Sequence, residues 1–331
     1  MRAELEPTHL LGCVAEGVVG RGVELEEGPG VAIWAGAFPG GEVETFHAVA
    51  RELDDRMAVA GFPALEDPSL VALVVDPYTF PAAPFLGELN RERPGLPLVG
   101  GLAAGGRRPG AQALIVDDEI HAEGAIGAIL TGVAVRTVVS QGCAPIGSEA
   151  VITSAEGNVI HELAGQPALE RLRSEIAKLS EGERHLAAQG LLVGLVIDEN
   201  QAEYGRGDYL MRGLLGADEE TGALAVGESV RVGQTLRFHV RDAASADEDL
   251  RAGLDEALGT TGDRAAGALL FTCNGRGTSM FPAPHHDAGA VGRALGHDAL
   301  AGFFCGGEIG PVGGRAFLHG FTATLALFLD G

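Results

Sequence analysis

The stretch Phe271-Thr272-Cys273-Asn274-Gly275-Arg276-Gly277 runs from an apolar strand straight into a polar corner. Glycines on both sides of Arg276 leave its guanidinium uncrowded and let backbone N–H groups turn into a concave site. A guanidinium offers a rigid fork of donors that matches a carboxylate. Further along, Gly306 and Gly307 precede Glu308 at the end of a second apolar run, Gly302-Phe303-Phe304-Cys305. If both runs are strands of one sheet, their corners open on the same edge. Arg276 and Glu308 can then hold a zwitterion such as an amino acid, Arg276 taking the carboxylate and Glu308 the ammonium. Asn274, Gly277, Gly306 and Gly307 complete this candidate ligand-binding set. The same arginine and glutamate can instead pair with each other and close the sheet edge. The sequence leaves both arrangements open.

Cys273 and Cys305 occupy matching strand-end places. One reading is a nucleophile with His285 or His286 as its base, which points to a cysteine-dependent hydrolase or acyltransferase. The other is a pair of small buried side chains. His285-His286-Asp287 is a poor metal motif, because adjacent side chains rarely converge on one ion and no second cluster has ligand spacing. It reads better as a polar helix start, with Asp287 near the positive helix terminus. Neither a metal nor a cofactor is expected. The glycines of Gly12-Cys13-Val14-Ala15-Glu16-Gly17 do not open a helix, as a dinucleotide loop would, and no nucleophile elbow, zincin or phosphate-loop pattern is present.

The elements that must position these residues are legible in part. Leu169, Leu172, Ile176 and Leu179 predict a helix over 168–180 that begins at Pro167. A second helix is predicted over 246–258, with Ser245 and Glu248 as its capping box. Strand-like runs fall at 31–38, 71–76, 111–117, 124–132, 135–140, 191–198, 235–242, 267–273 and 321–329, and residues 150–163 read as a hairpin around Glu156-Gly157-Asn158. A weak repeat links two of these runs. Strand 71–76, a helix near 84–91 and the corner Leu98-Val99-Gly100-Gly101 resemble strand 267–273, a helix near 286–296 and the corner at Gly302.

Composition narrows the partners. With 46 acidic and 23 basic residues the chain carries a formal charge of −23, which repels nucleic acid and anionic membrane alike. Small molecules and proteins remain. Only Lys178 among the basic residues is a lysine, and it lies on the polar face of a predicted helix, so Schiff-base chemistry is disfavoured. Four scattered cysteines and the lack of a signal-like start fit a reducing cytoplasm.

Two sets of motifs carry a family resemblance. Cys273-Asn274-Gly275-Arg276-Gly277 with Phe303-Phe304-Cys305-Gly306-Gly307-Glu308-Ile309-Gly310-Pro311 resembles a FIST C domain. Residues 12–24, Asp76-Pro77-Tyr78-Thr79-Phe80, residues 97–106 and residues 139–147 resemble a FIST N domain. The resemblance implies a sensory module that binds a small ligand such as an amino acid or small carboxylate, is non-enzymatic, and signals through a partner protein. It also implies a FIST N-like domain over 1–188, shortened at its start, and a FIST C-like domain over 189–331. The shortened start would leave a sheet edge that a second subunit can cover, as in a homo-oligomer. The expected fold class is α/β (α+β): two related domains, each a mixed or mainly antiparallel sheet with packed helices, with internal duplication as the source of the repeat.

Overall fold

The computed structural model describes residues 2–53, 56–259 and 264–330. The fold is α+β, and the chain forms two compact units. The first contains residues 1–140 and 250–331 and the second residues 141–249. This spatial division differs from the sequence division at 188/189, because the chain leaves the first unit and later returns to it.

The first unit is built on one large sheet. Its main strands are β1 (Glu42–Leu53), β2 (Leu70–Val75), β3 (Leu98–Ala103), β4 (Ala125–Thr131), β5 (Val135–Ser140), β6 (Ala265–Cys273), β7 (Leu300–Val312) and β8 (Ala323–Leu329). They lie in the order β1-β4-β2-β3-β7-β6-β8-β5. That order reads as two copies of one pattern meeting at the centre. In each copy two parallel strands are joined through a helix: β2 to β3 by α1 (Ala82–Glu92), and β6 to β7 by α2 (His286–Leu295). Each copy then adds two antiparallel strands outward, β4 and β1 on one side, β8 and β5 on the other. The copies join through the antiparallel pair β3–β7.

The repeat seen in the sequence therefore occupies one shared sheet. Its register agrees to the residue. Gly100 lies opposite Leu73 and Gly302 opposite Leu270. A Cβ on Gly100 would sit 1.8 Å from the Leu73 carbonyl oxygen, and one on Gly302 would sit 1.7 Å from that of Leu270. Only glycine permits the neighbouring strand to come so close.

Both faces of this sheet are covered, which is why β2 and β6 read as nearly continuous apolar runs. On one face Phe85, Leu86 and Leu89 of α1 pack on Leu73 and Leu98, and Val291 and Leu295 of α2 pack on Leu270 and Leu300. A buried leucine of this kind contributes about 1.5–3 kcal/mol. The other face is covered by a small sheet, Leu11–Cys13 with Leu114–Val116 and Glu119–His121, and by residues 31–38. That segment is not the expected strand. It is irregular and lays Trp34 and Phe38 against Phe328, the Trp34 ring stacking at 4.8 Å.

In the second unit seven strands pair antiparallel throughout, from Cys143–Glu156 to Gln166–Pro167. Strand Cys143–Glu156 also pairs with Val159–Leu163, the hairpin partner expected from sequence, so the pairings close on themselves. Closure leaves few free edges. The helix predicted over 168–180 runs Ala168–Lys178. The helix predicted over 246–258 runs Ala243–Gly259, and its cap is Asp242, not Ser245. The Asp242 carboxylate accepts from the Ser245 backbone N–H at 2.9 Å and from its hydroxyl at 2.6 Å. No helix among the described residues is long and apolar enough to cross a membrane.

Candidate functional site

The two corners of the second copy do come together, although β7 does not end at Cys305 as expected but runs on through Glu308 to Val312. Cys273 and Cys305 are register partners on β6 and β7, and Asn274 donates its backbone N–H to the Cys305 carbonyl at 3.0 Å. Beyond Cys305 the pairing with β3 slips: Cys305 faces Ala103, and Glu308 faces Gly101. One extra residue on β7 is therefore accommodated at Gly306-Gly307, a bulge that turns Glu308 onto the same face as Cys305. Gly306 is exposed, and Gly307 is hemmed by Leu102 and Leu318.

Glu308 is fully buried. Its Oε2 accepts from the Thr322 backbone N–H at 3.0 Å and from the Thr322 hydroxyl at 2.8 Å. Its Oε1 has no hydrogen-bond partner among the described residues. Burial pushes the carboxyl up to about 8, against the lowering effects of Thr322, the Cys273 thiol and the Arg276 charge. At neutral pH Glu308 is thus mostly protonated.

Arg276 is not free. It is 0% exposed, and its Nε and Nη2 grip the two oxygens of Asp287 at 2.7 and 2.8 Å. Its Nη1 reaches the Phe321 carbonyl at 3.5 Å, and its guanidinium lies 5.2 Å from the centre of the Phe281 ring. Both sequence arrangements for Arg276 are corrected by this geometry: the fork is filled, and by Asp287 rather than Glu308. Asp287 also accepts from the Thr272 hydroxyl at 2.8 Å and is hydrogen-bonded to His286 Nδ1 at 2.9 Å. Burial works against its charge, but the Arg276 guanidinium outweighs burial and holds the carboxyl well below the usual range. The pair fastens the turn after β6 to the first turn of α2.

The amino-terminal segment reinforces that fastening. Glu24 Oε1 accepts from the Ala288 N–H at 2.8 Å, capping α2 from another strand. Glu26 accepts from the Thr278 N–H and hydroxyl at 2.9 and 2.8 Å. Gly277, at φ +60°, leaves the room Glu26 needs, since a Cβ there would sit 2.7 Å from its carboxyl. Asn274 donates to Glu16 at 2.9 Å, while its buried Oδ1 has no partner among the described residues. Glu24 Oε2 is likewise unmatched. Among the described residues three buried oxygens near these corners thus have no hydrogen-bond partner, on Glu24, Asn274 and Glu308. Glu16, Glu24, Glu26, Asp287 and Thr322 were not singled out as ligand-site residues from sequence. Only Asp287 gave a signal there, as an acid at a helix start.

The thiols point away from nucleophilic catalysis. Burial, then the neighbouring Glu308, pushes Cys273 up to about 12, and burial drives Cys305 well above the ordinary thiol range. An activated cysteine needs the opposite shift. His286 Nδ1 is engaged by Asp287, and its ring stacks on Phe281 with centroids 3.5 Å apart. His285 Nδ1 accepts from the Glu24 N–H at 3.0 Å. No group of three or more His, Cys, Asp or Glu side chains among the described residues is arranged to hold a metal ion.

The chain matches two family models, the FIST N domain over residues 1–166 and the FIST C domain over residues 168–311. It is 45% identical over 331 residues to an uncharacterized protein of Mycobacterium tuberculosis, covering 100% of this chain and 86% of the relative. An uncharacterized protein of Mycobacterium bovis is 45% identical over 327 residues, or 98% of this chain and 84% of that protein. The large sheet draws one βαβ unit from each matched region, and so does the symmetry at its centre. FIST domains are associated with sensing in signal transduction, and this chain belongs to the FIST family.

Proposed function

We propose that the protein is a small-molecule-binding sensor whose recognition corner is formed by Cys273, Asn274, Gly306 and Glu308, and that its ligand is an amino acid. One observation carries the reading: Glu308 is fully buried with an oxygen that no donor meets. An unmet buried acceptor costs about 1–3 kcal/mol, a price a donor-rich guest removes. Of the two ligand classes expected from sequence, this supports an amino acid over a simple carboxylate. A simple carboxylate needs a cation, and the fork that would receive it is committed to Asp287. Gly306, two residues before Glu308 in the bulge, is exposed and carries no side chain. The corner lies where the parallel pairing of β6 with β7 ends, the usual place for ligands in sheets of this kind. Cys13, Cys273 and Cys305 are free thiols, which suits a cytoplasmic sensor.

A melting screen against the common amino acids and small carboxylic acids tests the reading. A true ligand at 100 times its dissociation constant adds about 2.7 kcal/mol of stability, visible as a raised Tm. The rise should disappear in Glu308→Gln. If no amino acid raises the Tm of the well-folded protein, the reading fails.

A further inference from the structure

The geometry of Glu308 points to more than an anchor: we propose that the guest enters as an ammonium ion and that Glu308 releases its proton to water as the guest binds. This rests on the recognition corner proposed above. The groups around Glu308 decide it. Thr322 meets one oxygen with two donors, and the other oxygen is unmet. The neighbouring groups from β6 and β7 are the Cys273 and Cys305 thiols, both neutral at physiological pH, and from the strand Arg315–His319 the register partner His319, whose Nε2 is engaged with the Gly310 carbonyl at 2.9 Å. The nearby cation, Arg276, is bound on two sides to Asp287. Thr322, the Cys273 thiol and the Arg276 charge favour the carboxylate, but complete burial outweighs them, so the carboxyl retains its proton.

A primary ammonium reverses that balance. It supplies both the missing donor and the missing positive charge. The step balances simply: R–NH3+ and the neutral carboxyl become an ammonium–carboxylate pair, and one proton leaves for solvent. Below about pH 8 affinity should then rise by about tenfold per pH unit, and it should level off above that. The receptor would read amine concentration and pH together.

Methylammonium and acetate, each in large excess, serve as probes of opposite charge against the full chain and Glu308→Gln. Tm and proton release in weakly buffered solution are recorded for each. Methylammonium should raise the Tm and release a proton with the native chain, and do neither with the variant. Stabilisation without proton release, or equal stabilisation of the variant, overturns the proposal. Stabilisation by acetate alone overturns the ammonium assignment and leaves a ligand-binding corner standing. If neither probe acts, the proposal and the corner on which it rests both fall.

Discussion

The two copies of the βαβ pattern share a backbone and differ in what fills their strand ends. Three residues past Leu73 the first copy has Asp76, and three residues past Leu270 the second has Cys273. Asp76 is fully buried, and both its oxygens are met, by the Tyr78 N–H and the Thr79 hydroxyl. Ala103 stands where Cys305 stands. There Gln112 closes the corner by donating to the Ala103 carbonyl and accepting from the Gly106 N–H at 3.1 Å. The first copy is a finished structural corner. In the second, a bulge brings in Glu308, an ion pair occupies Arg276, and acceptors on Glu308 and Asn274 are left over. One frame thus serves twice, and among the described residues it is the second corner that keeps unmatched buried acceptors on Glu308 and Asn274.

The glycine pair tests the shared frame, with the largest expected effects. Gly302→Ala and Gly100→Ala each push a Cβ into a facing carbonyl oxygen. Each should cost more than about 4 kcal/mol in denaturant unfolding, or prevent folding. Harm from one and not the other would break the equivalence of the copies.

Next comes the difference in charge. Asp287→Asn leaves a guanidinium buried without its counter-ion and should cost about 3–5 kcal/mol. Asp76→Asn removes hydrogen bonds but strands no charge, and should cost about 1–2 kcal/mol. Urea denaturation of both variants under one condition makes the comparison. Arg276→Ala belongs with Asp287→Asn, since it leaves Asp287 uncompensated.

Glu308→Gln sharpens the contrast through pH. The folded-state value is raised, from 4.5 to about 8. Any stability associated with the neutral carboxyl is therefore complete below about pH 4.5 and lost as pH rises through about 8. Glutamine does not ionise. Its advantage over the native chain should grow from near zero at pH 4 to about 3 kcal/mol at pH 7. A constant difference across that range would mean that Glu308 is not protonated in the fold.

Much of the frame was legible because local pattern and burial agree in it. Val135–Ser140 and His286–Leu295 emerge close to their predicted limits. The repeat was visible through its glycines, whose necessity is set by contact with the next strand. Residues 31–38 misled because their apolar residues are anchors for Phe328 and not ladder members. Strand β1 gave little signal, since its glutamates are poor strand formers and its place is fixed by β4. At the corner, Arg276 and Glu308 were singled out from sequence and their partners were not. Asp287 reaches Arg276 across a folded-back turn, and Thr322 reaches Glu308 from another strand end. Such pairings depend on tertiary placement, which no spacing in the sequence encodes.

The central claim is that a buried, half-met carboxyl waits beside the bulge of β7. Carbon-13 NMR of the Glu308 side-chain carboxyl, assigned by its loss in Glu308→Gln and followed against pH, tests it most directly. A midpoint near 8 for the protein alone, falling when an amino acid found by melting is added, is the predicted result. A midpoint near the ordinary 4.5, unmoved by any amino acid, would contradict it.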